Sequence, residues 1–220
     1  MMTDAVLLDL DGTLTDSRPG IERCMRASMS ELGHPINPAE NLDWAIGPPI
    51  EDVFTRLLAV TATPHSIKHA VAAYRTHYAA TGWSENTPYP GIAEALFALQ
   101  SAGYALYLAT SKRIDFARRI VTHFGFAIHF TALHGAELDG SRSHKPEMIA
   151  HIIATHRLDP NRTIMVGDRS FDIAGAHANH IKAIGVLWGY GSPAEFTQAD
   201  ADATIRHPAD ILPTIRQLMN

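Results

Sequence analysis

Short unbroken apolar runs recur along the chain at 5–8, 105–109, 163–166 and 183–187, and each ends in small or polar residues. Runs this short and this rich in Val, Ile, Leu and Ala predict strands buried on both faces. Between them, apolar residues return every three or four positions. That spacing predicts helices at 92–102, 114–124, 147–156 and 171–179, and a last one over 208–219. A weak strand is expected near 129–134 and a short one at 203–205, while Gly189-Tyr190-Gly191 reads as a loop.

The stretch between the first strand and residue 87 is patterned differently. Asp16 or Ser17 can cap a helix whose first turn accommodates Pro19. Ile21, Met25, Ser28, Met29 and Leu32 line its face until Gly33-His34-Pro35 ends it. A second helical piece is expected over 38–44. A third starts near Ile50 with Val53, Phe54, Leu57 and Leu58 on one face, and a fourth over 64–82 carries Ile67, Val71, Tyr74 and Tyr78. No strand is expected within 17–86, and the rigid Asn86-Thr87-Pro88-Tyr89-Pro90-Gly91 reads as a return linker. The predicted organisation is α/β: a Rossmann-like parallel sheet with helices on both faces, formed by 1–16 and 87–220, with a small all-helical domain inserted at 17–86.

Composition narrows the function classes. With 46% hydrophobic residues the chain can bury a core, and a formal charge of −5 argues against a nucleic-acid polymer or an anionic membrane as main partner. A small anionic partner then needs local positive charge or a metal. The single Cys24 allows no internal disulfide and is expected in a buried helix position. Asp4 and Asp9 interrupt the N-terminal apolar residues, so no signal peptide is expected, and no run approaches the ~20 apolar residues of a membrane span. The expectation is a soluble cytoplasmic protein, a monomer or weak homodimer.

Open parallel sheets bind ligands beyond the carboxyl ends of their strands, so the candidate chemistry is sought there. The first strand runs into Asp9-Leu10-Asp11-Gly12-Thr13. Period-two spacing points both carboxylates the same way, and Gly12 permits a sharp turn. Two acids this close repel, which a shared proton or a divalent metal would offset; Mg²⁺ suits carboxylate, carbonyl and water ligands. The second and third runs end in Thr110-Ser111-Lys112 and Gly167-Asp168-Arg169, and Lys145 precedes Pro146 at a helix start. A carboxylate nucleophile, a hydroxyl donor, a compact ammonium and a second metal carboxylate suit phosphoryl transfer.

Asp9-Leu10-Asp11-Gly12-Thr13-Leu14, Thr110-Ser111-Lys112, Lys145-Pro146 and Gly167-Asp168-Arg169-Ser170-Phe171-Asp172-Ile173 resemble, in order, the four motifs of the haloacid dehalogenase superfamily. With the helical insert, the likeness is to its phosphoglycolate-phosphatase-like branch, some of whose relatives are 5′-nucleotidases. The resemblance implies that Asp9 is nucleophile and Mg²⁺ ligand. It implies that Asp11 protonates the leaving alcohol, then activates water, and offers its backbone carbonyl to the metal. Ser111 and Lys145 would hold the phosphoryl group, with Gly12 and Lys112 beside it, and Asp168 would complete the metal site. Asp172 matches an acid acting on metal-bound water, and Thr13 holds the turn together. Arg18, Gly47 and Pro48 are candidate substrate contacts from the insert. The expected activity is Mg²⁺-dependent hydrolysis of a small phosphate monoester, phosphoglycolate-like or a nucleoside 5′-monophosphate. A phosphomutase, or a non-catalytic regulator that binds a phosphate ligand, are the alternatives.

Overall fold

The computed structural model describes residues 4–219. In chain order the elements are β1 (Ala5–Leu8), β2 (Thr15–Asp16), α1 (Arg18–Glu31), α2 (Ile50–Leu58), α3 (Pro64–Ala80), β3 (Thr87–Pro88), α4 (Ile92–Ser101), β4 (Ala105–Arg113), α5 (Ile114–His123), β5 (Ala132–Ala136), α6 (Lys145–His156), β6 (Thr163–Gly167), α7 (Ser170–His177), β7 (Lys182–Val186), α8 (Pro193–Gln198), β8 (Ala203–Ile205) and α9 (Ile211–Met219). Six of the strands form one parallel sheet in the order β5-β4-β1-β6-β7-β8. β1 is hydrogen-bonded on both sides, Leu7 lying opposite Tyr107 and Met165, so its carboxyl end opens in the middle of the sheet edge.

Strand periodicity divides the core in two. Val6, Leu8, Leu106, Leu108, Ile164 and Val166 face one side, under α4, α5 and α9. Ala5, Leu7, Tyr107, Ala109 and Met165 face the other, where Met148, Ile149 and Ile152 of α6 and Ile173 and Ala176 of α7 cover them. A third apolar cluster joins α1, α2 and α3 through Cys24, Met25, Phe54, Val71 and Tyr78, and takes Phe116 from α5. At the foot of those helices β2 and β3 pair antiparallel, with Thr15 opposite Pro88 and Asp16 opposite Thr87. Cys24 is buried in α1 as its spacing predicts. No described helix is long and apolar enough to cross a membrane.

Five local expectations change. The helix expected over 38–44 is a loop closed by a single 3₁₀ turn, Asp43–Ala45. Asn37 and Asn41 accept hydrogen bonds from the backbone N–H of Ala39 and Asp43, and these local turns compete with helix. The strand expected over 105–109 runs on to Arg113 with an irregularity in its pairing, so Ser111 and Lys112 sit on the strand's end and not in a turn before a helix. The weak strand near 129–134 forms at Ala132–Ala136, because residues Phe126–His129 close a 3₁₀ turn instead. Helix α8 is unforeseen; its Ser192 accepts from the Glu195 N–H, the N-cap arrangement of a short helix. The last helix begins at Ile211, preceded by a 3₁₀ turn at Pro208–Asp210.

Leu8 is fully buried in the central strand. Leu8→Ala should lower stability by about 2–5 kcal/mol, read as a shift in urea midpoint at unchanged slope.

Candidate active site

Asp9 continues the register of β1, its N–H donating to Val166 O at 3.1 Å. By period two it falls on the Leu7 side of the sheet, the side covered by α6 and α7. The chain then leaves the sheet at once. Leu10 O accepts from the N–H groups of Thr13, Leu14 and Thr15, a tight coil that Gly12 enters at φ +85°. A Cβ on Gly12 would stand 2.1 Å from Asp168 Oδ2, so this backbone approach admits only glycine. Asp11 is therefore not on the strand, and the period-two argument for its direction fails. Even so, the coil returns it to the cavity that Asp9 lines.

Asp168 follows β6 and is fully buried. Its two oxygens are held by Thr13 Oγ1, donating at 3.3 Å, and by the Tyr190 N–H at 2.9 Å. Asp172 lies in the first turn of α7, where one oxygen accepts from the Arg169 N–H at 3.1 Å. It packs against Gly167 so closely that a Cβ there would stand 2.2 Å from its carboxyl carbon. Lys145 opens α6, and its buried ammonium lies 2.8 Å from Asp9 Oδ1 and 2.5 Å from Asp172 Oδ1 while donating to Ala109 O at 2.8 Å.

Carboxylate oxygens of Asp9, Asp168 and Asp172 come within 4.8 Å of one another. Burial pushes Asp9 up to about 6 and Asp168 well above the usual carboxylate range; Lys145 lowers Asp9, while neighbouring carboxylates raise both. Burial alone would discharge Lys145, but Asp172 and Asp9 reverse that and hold the ammonium above its ordinary range. Asp9 Oδ1 and Asp172 Oδ1 meet the ammonium as ion pairs, yet no aligned hydrogen-bond donor reaches either among the described residues. Once all three acids are ionised, they exceed the one ammonium by two negative charges, and oxygen ligands with this surplus fit a hard divalent cation.

The other expected residues are placed as follows. Asp11 and Lys112 form a buried pair in which Nζ donates to both carboxylate oxygens, at 2.9 and 2.7 Å, and rests 4.7 Å from the Tyr78 ring centre. Lys112 is thus engaged by Asp11 rather than held open towards a phosphate. Ser111 lines the cavity beside Asp9 and also the cleft that Lys145 enters. Gly47 and Pro48 line the cavity from the segment before α2. Arg18 is not among the lining residues. Its guanidinium pairs with Asp43 at 2.8 Å and lies over the Tyr190 ring.

Two connections are absent from the sequence reading. The Tyr190 hydroxyl accepts from the N–H groups of Ser17 and Arg18, at 2.8 and 3.0 Å, and donates to Asp16 at 2.8 Å, while its own N–H holds Asp168. One residue thereby ties the start of α1 to a carboxylate of the site. Arg169 donates to the carbonyls of Asp43 and Ile46 and pairs with Glu195 at 3.1 Å, fixing the loop before α2 against α7. The signal for Tyr190 was present: it stands just past β7, at the same carboxyl edge as the acids.

A model of the haloacid dehalogenase-like hydrolases matches residues 6–186. The chain belongs to that family. It is 42% identical over 190 residues to a 5′-nucleotidase of Pseudomonas aeruginosa, covering 86% of this chain and 85% of the relative. It is 40% identical over 206 residues to the tyrosine-protein kinase PtkA of Mycobacterium tuberculosis, covering 94% of this chain and 69% of that one. Among solved structures, that of a predicted phosphatase from Clostridium acetobutylicum superposes with a TM-score of 0.93 at 32% identity, covering 99% of this chain and all of the other. The chain is accordingly a haloacid dehalogenase-like hydrolase.

Three outcomes follow from this geometry. The raised Asp9 binds protons more tightly folded than unfolded, so cation-free protein should lose stability as pH rises from about 4 through 6, and the raised Asp168 acts in the same direction. Mg²⁺ at pH 7.5 should raise Tm, and Asp168→Asn should abolish that rise; calorimetric scans read both. Tyr190→Phe strands the Ser17 N–H and should cost about 1–3 kcal/mol in chemical denaturation.

Proposed function

We propose that this hydrolase is a Mg²⁺-dependent phosphatase that cleaves a small phosphate monoester through an aspartyl-phosphate, with Asp9 as nucleophile. The observation that supports it best is the convergence of Asp9, Asp168 and Asp172 on one another, with Lys145 paired to Asp9 and Asp172, beside a cavity lined by Asp9, Asp11 and Ser111. Asp9 and Asp168 would hold the cation, with the Asp11 carbonyl as the family resemblance implies. When bound, the cation neutralises phosphoryl oxygens and the surplus carboxylate charge.

The protein's own groups carry the steps. Lys145 holds Asp9 in place and, with Ser111, receives the phosphoryl oxygens. An Asp9 oxygen bonds to phosphorus as the ester P–O bond breaks, and Asp11 gives its proton to the departing alcohol oxygen. Lys112 occupies both Asp11 oxygens in this structure. An entering phosphate offers that ammonium a second acceptor, which frees Asp11 to carry the proton. Asp11 then takes a proton from water as the water oxygen bonds to phosphorus and the Asp9–phosphorus bond breaks. Asp172 orients Lys145 and adds the third carboxylate.

In this reading 1–16 and 87–220 form the catalytic core and 17–86 a cap that selects the leaving group. The separate apolar cluster of α1–α3 and the β2–β3 ribbon at its foot support that division. The Arg169 contacts to Asp43 and Ile46 hold the cap loop over the site.

Asp9→Asn should lower phosphate release from 4-nitrophenyl phosphate with Mg²⁺ by about 10³-fold or more while the circular dichroism spectrum stays unchanged. Full activity in that variant, or wild-type release only when an alcohol acceptor is added, would reject the hydrolytic scheme.

A further inference from the structure

A cavity opens beside Asp9. Away from the carboxylates its wall is apolar and aromatic: Ile21, Met25, Ile46, Tyr74, Tyr78 and Phe116. The rings form a ladder. Tyr74 and Tyr78 stack at 5.5 Å, and Phe116 meets Tyr78 edge-on at 5.0 Å. Phe54 packs edge-on against Tyr74 at 5.9 Å and Arg113 lies over Phe116, so the ladder is a rigid wall, and a ligand beside it meets apolar and aromatic side chains.

Three cations also line this space, and each already has a carboxylate. Lys112 is held by Asp11 at 2.7 Å. Arg113 pairs with Asp115 through both Nε and Nη2, at 2.6 Å each. Arg75 of α3 pairs with Glu51 of α2 at 3.0 Å, and both of these side chains face the cavity. A leaving group with its own carboxylate would have to take Arg75 from Glu51, and would then lie beside the carboxylate it displaced. It would also lose water against the aromatic wall, a cost that only a matched charge offsets.

We propose that the cavity takes an uncharged leaving group with a flat apolar face, and that Glu51 sets this preference by neutralising Arg75. The inference rests on the phosphatase reading for its orientation, since the phosphate must sit at Asp9 for the rest of the ester to reach this wall. Within that reading it separates the two substrate classes: a nucleoside or aryl group fits, and a glycolate carboxylate does not. Glu51 is a specificity residue. It selects against the wrong leaving group through a charge it cancels, and it touches no reacting atom.

The experiment compares phenyl phosphate with phosphoglycolate at fixed Mg²⁺, in the wild type, Glu51→Gln and Arg75→Met. The wild type should favour phenyl phosphate in kcat/KM by about tenfold or more. Glu51→Gln frees Arg75 and should raise kcat/KM for phosphoglycolate several-fold while phenyl phosphate stays within about threefold. Arg75→Met leaves Glu51 without its partner and should depress phosphoglycolate further. A merely structural role for the pair would move both esters together, and that result overturns the proposal, as does a wild-type preference for phosphoglycolate. Titration of phenylphosphonate and phosphonoacetate, neither of which can be hydrolysed at the P–C bond by this chemistry, keeps the two readings apart. Tighter phenylphosphonate binding without turnover of either ester rejects the phosphatase scheme and supports the cavity assignment. Equal or tighter phosphonoacetate binding rejects the cavity assignment whatever the turnover.

Discussion

Three carboxylates buried within reach of one another are the constraint on which the rest of this structure turns. Asp9, Asp168 and Asp172 are each nearly inaccessible, and Lys145 is the buried cation that pairs with Asp9 and Asp172. Such a group is unfavourable to assemble, because burial strips water from every charge and the like charges repel. Removing the ammonium would leave the acids worse off, so the arrangement stands or falls as a unit. Its surplus of carboxylate oxygens is also what suits it to a hard divalent cation.

The fold surrounds the acids with fixed donors. Thr13 and the Tyr190 N–H hold Asp168, the Arg169 N–H holds Asp172, and Val166 O receives the Asp9 N–H. Gly12 and Gly167 allow the approach, since a side chain at either would overlap a carboxylate. These contacts come from chain segments far apart in sequence. Their common origin is the parallel sheet, which brings the carboxyl ends of β1, β4 and β6 to one edge and the first turns of α6 and α7 over it.

The helical segment between β2 and β3 is tied to that edge at two points. Tyr190 clasps the beginning of α1 while holding Asp168, and Arg169 grips the loop ahead of α2. The acids and the aromatic cavity are consequently parts of one assembly. The cavity wall is supplied by helices with their own apolar cluster, built apart from the acids, and Glu51, Arg75, Tyr74 and Tyr78 belong to that wall.

By itself the sequence determined the layered α/β architecture and the strands that form it. Unbroken apolar runs admit few other burial patterns, and the acids and Ser111 stand just where those runs stop. It also located Lys145 and Asp172 at helix starts. Tertiary structure decided what local pattern does not encode. Asp11 reaches the cavity through a coil at Gly12 and not by strand alternation, since the strand ends at Leu8. Lys112 pairs with Asp11, and Arg18 turns to Asp43, because a charge's partner depends on what folding places beside it. Tyr190, Arg169 and the Glu51–Arg75 pair gained their roles in the same way: each joins residues many positions apart, a relation fixed only when the sheet and the helices above it close on one another.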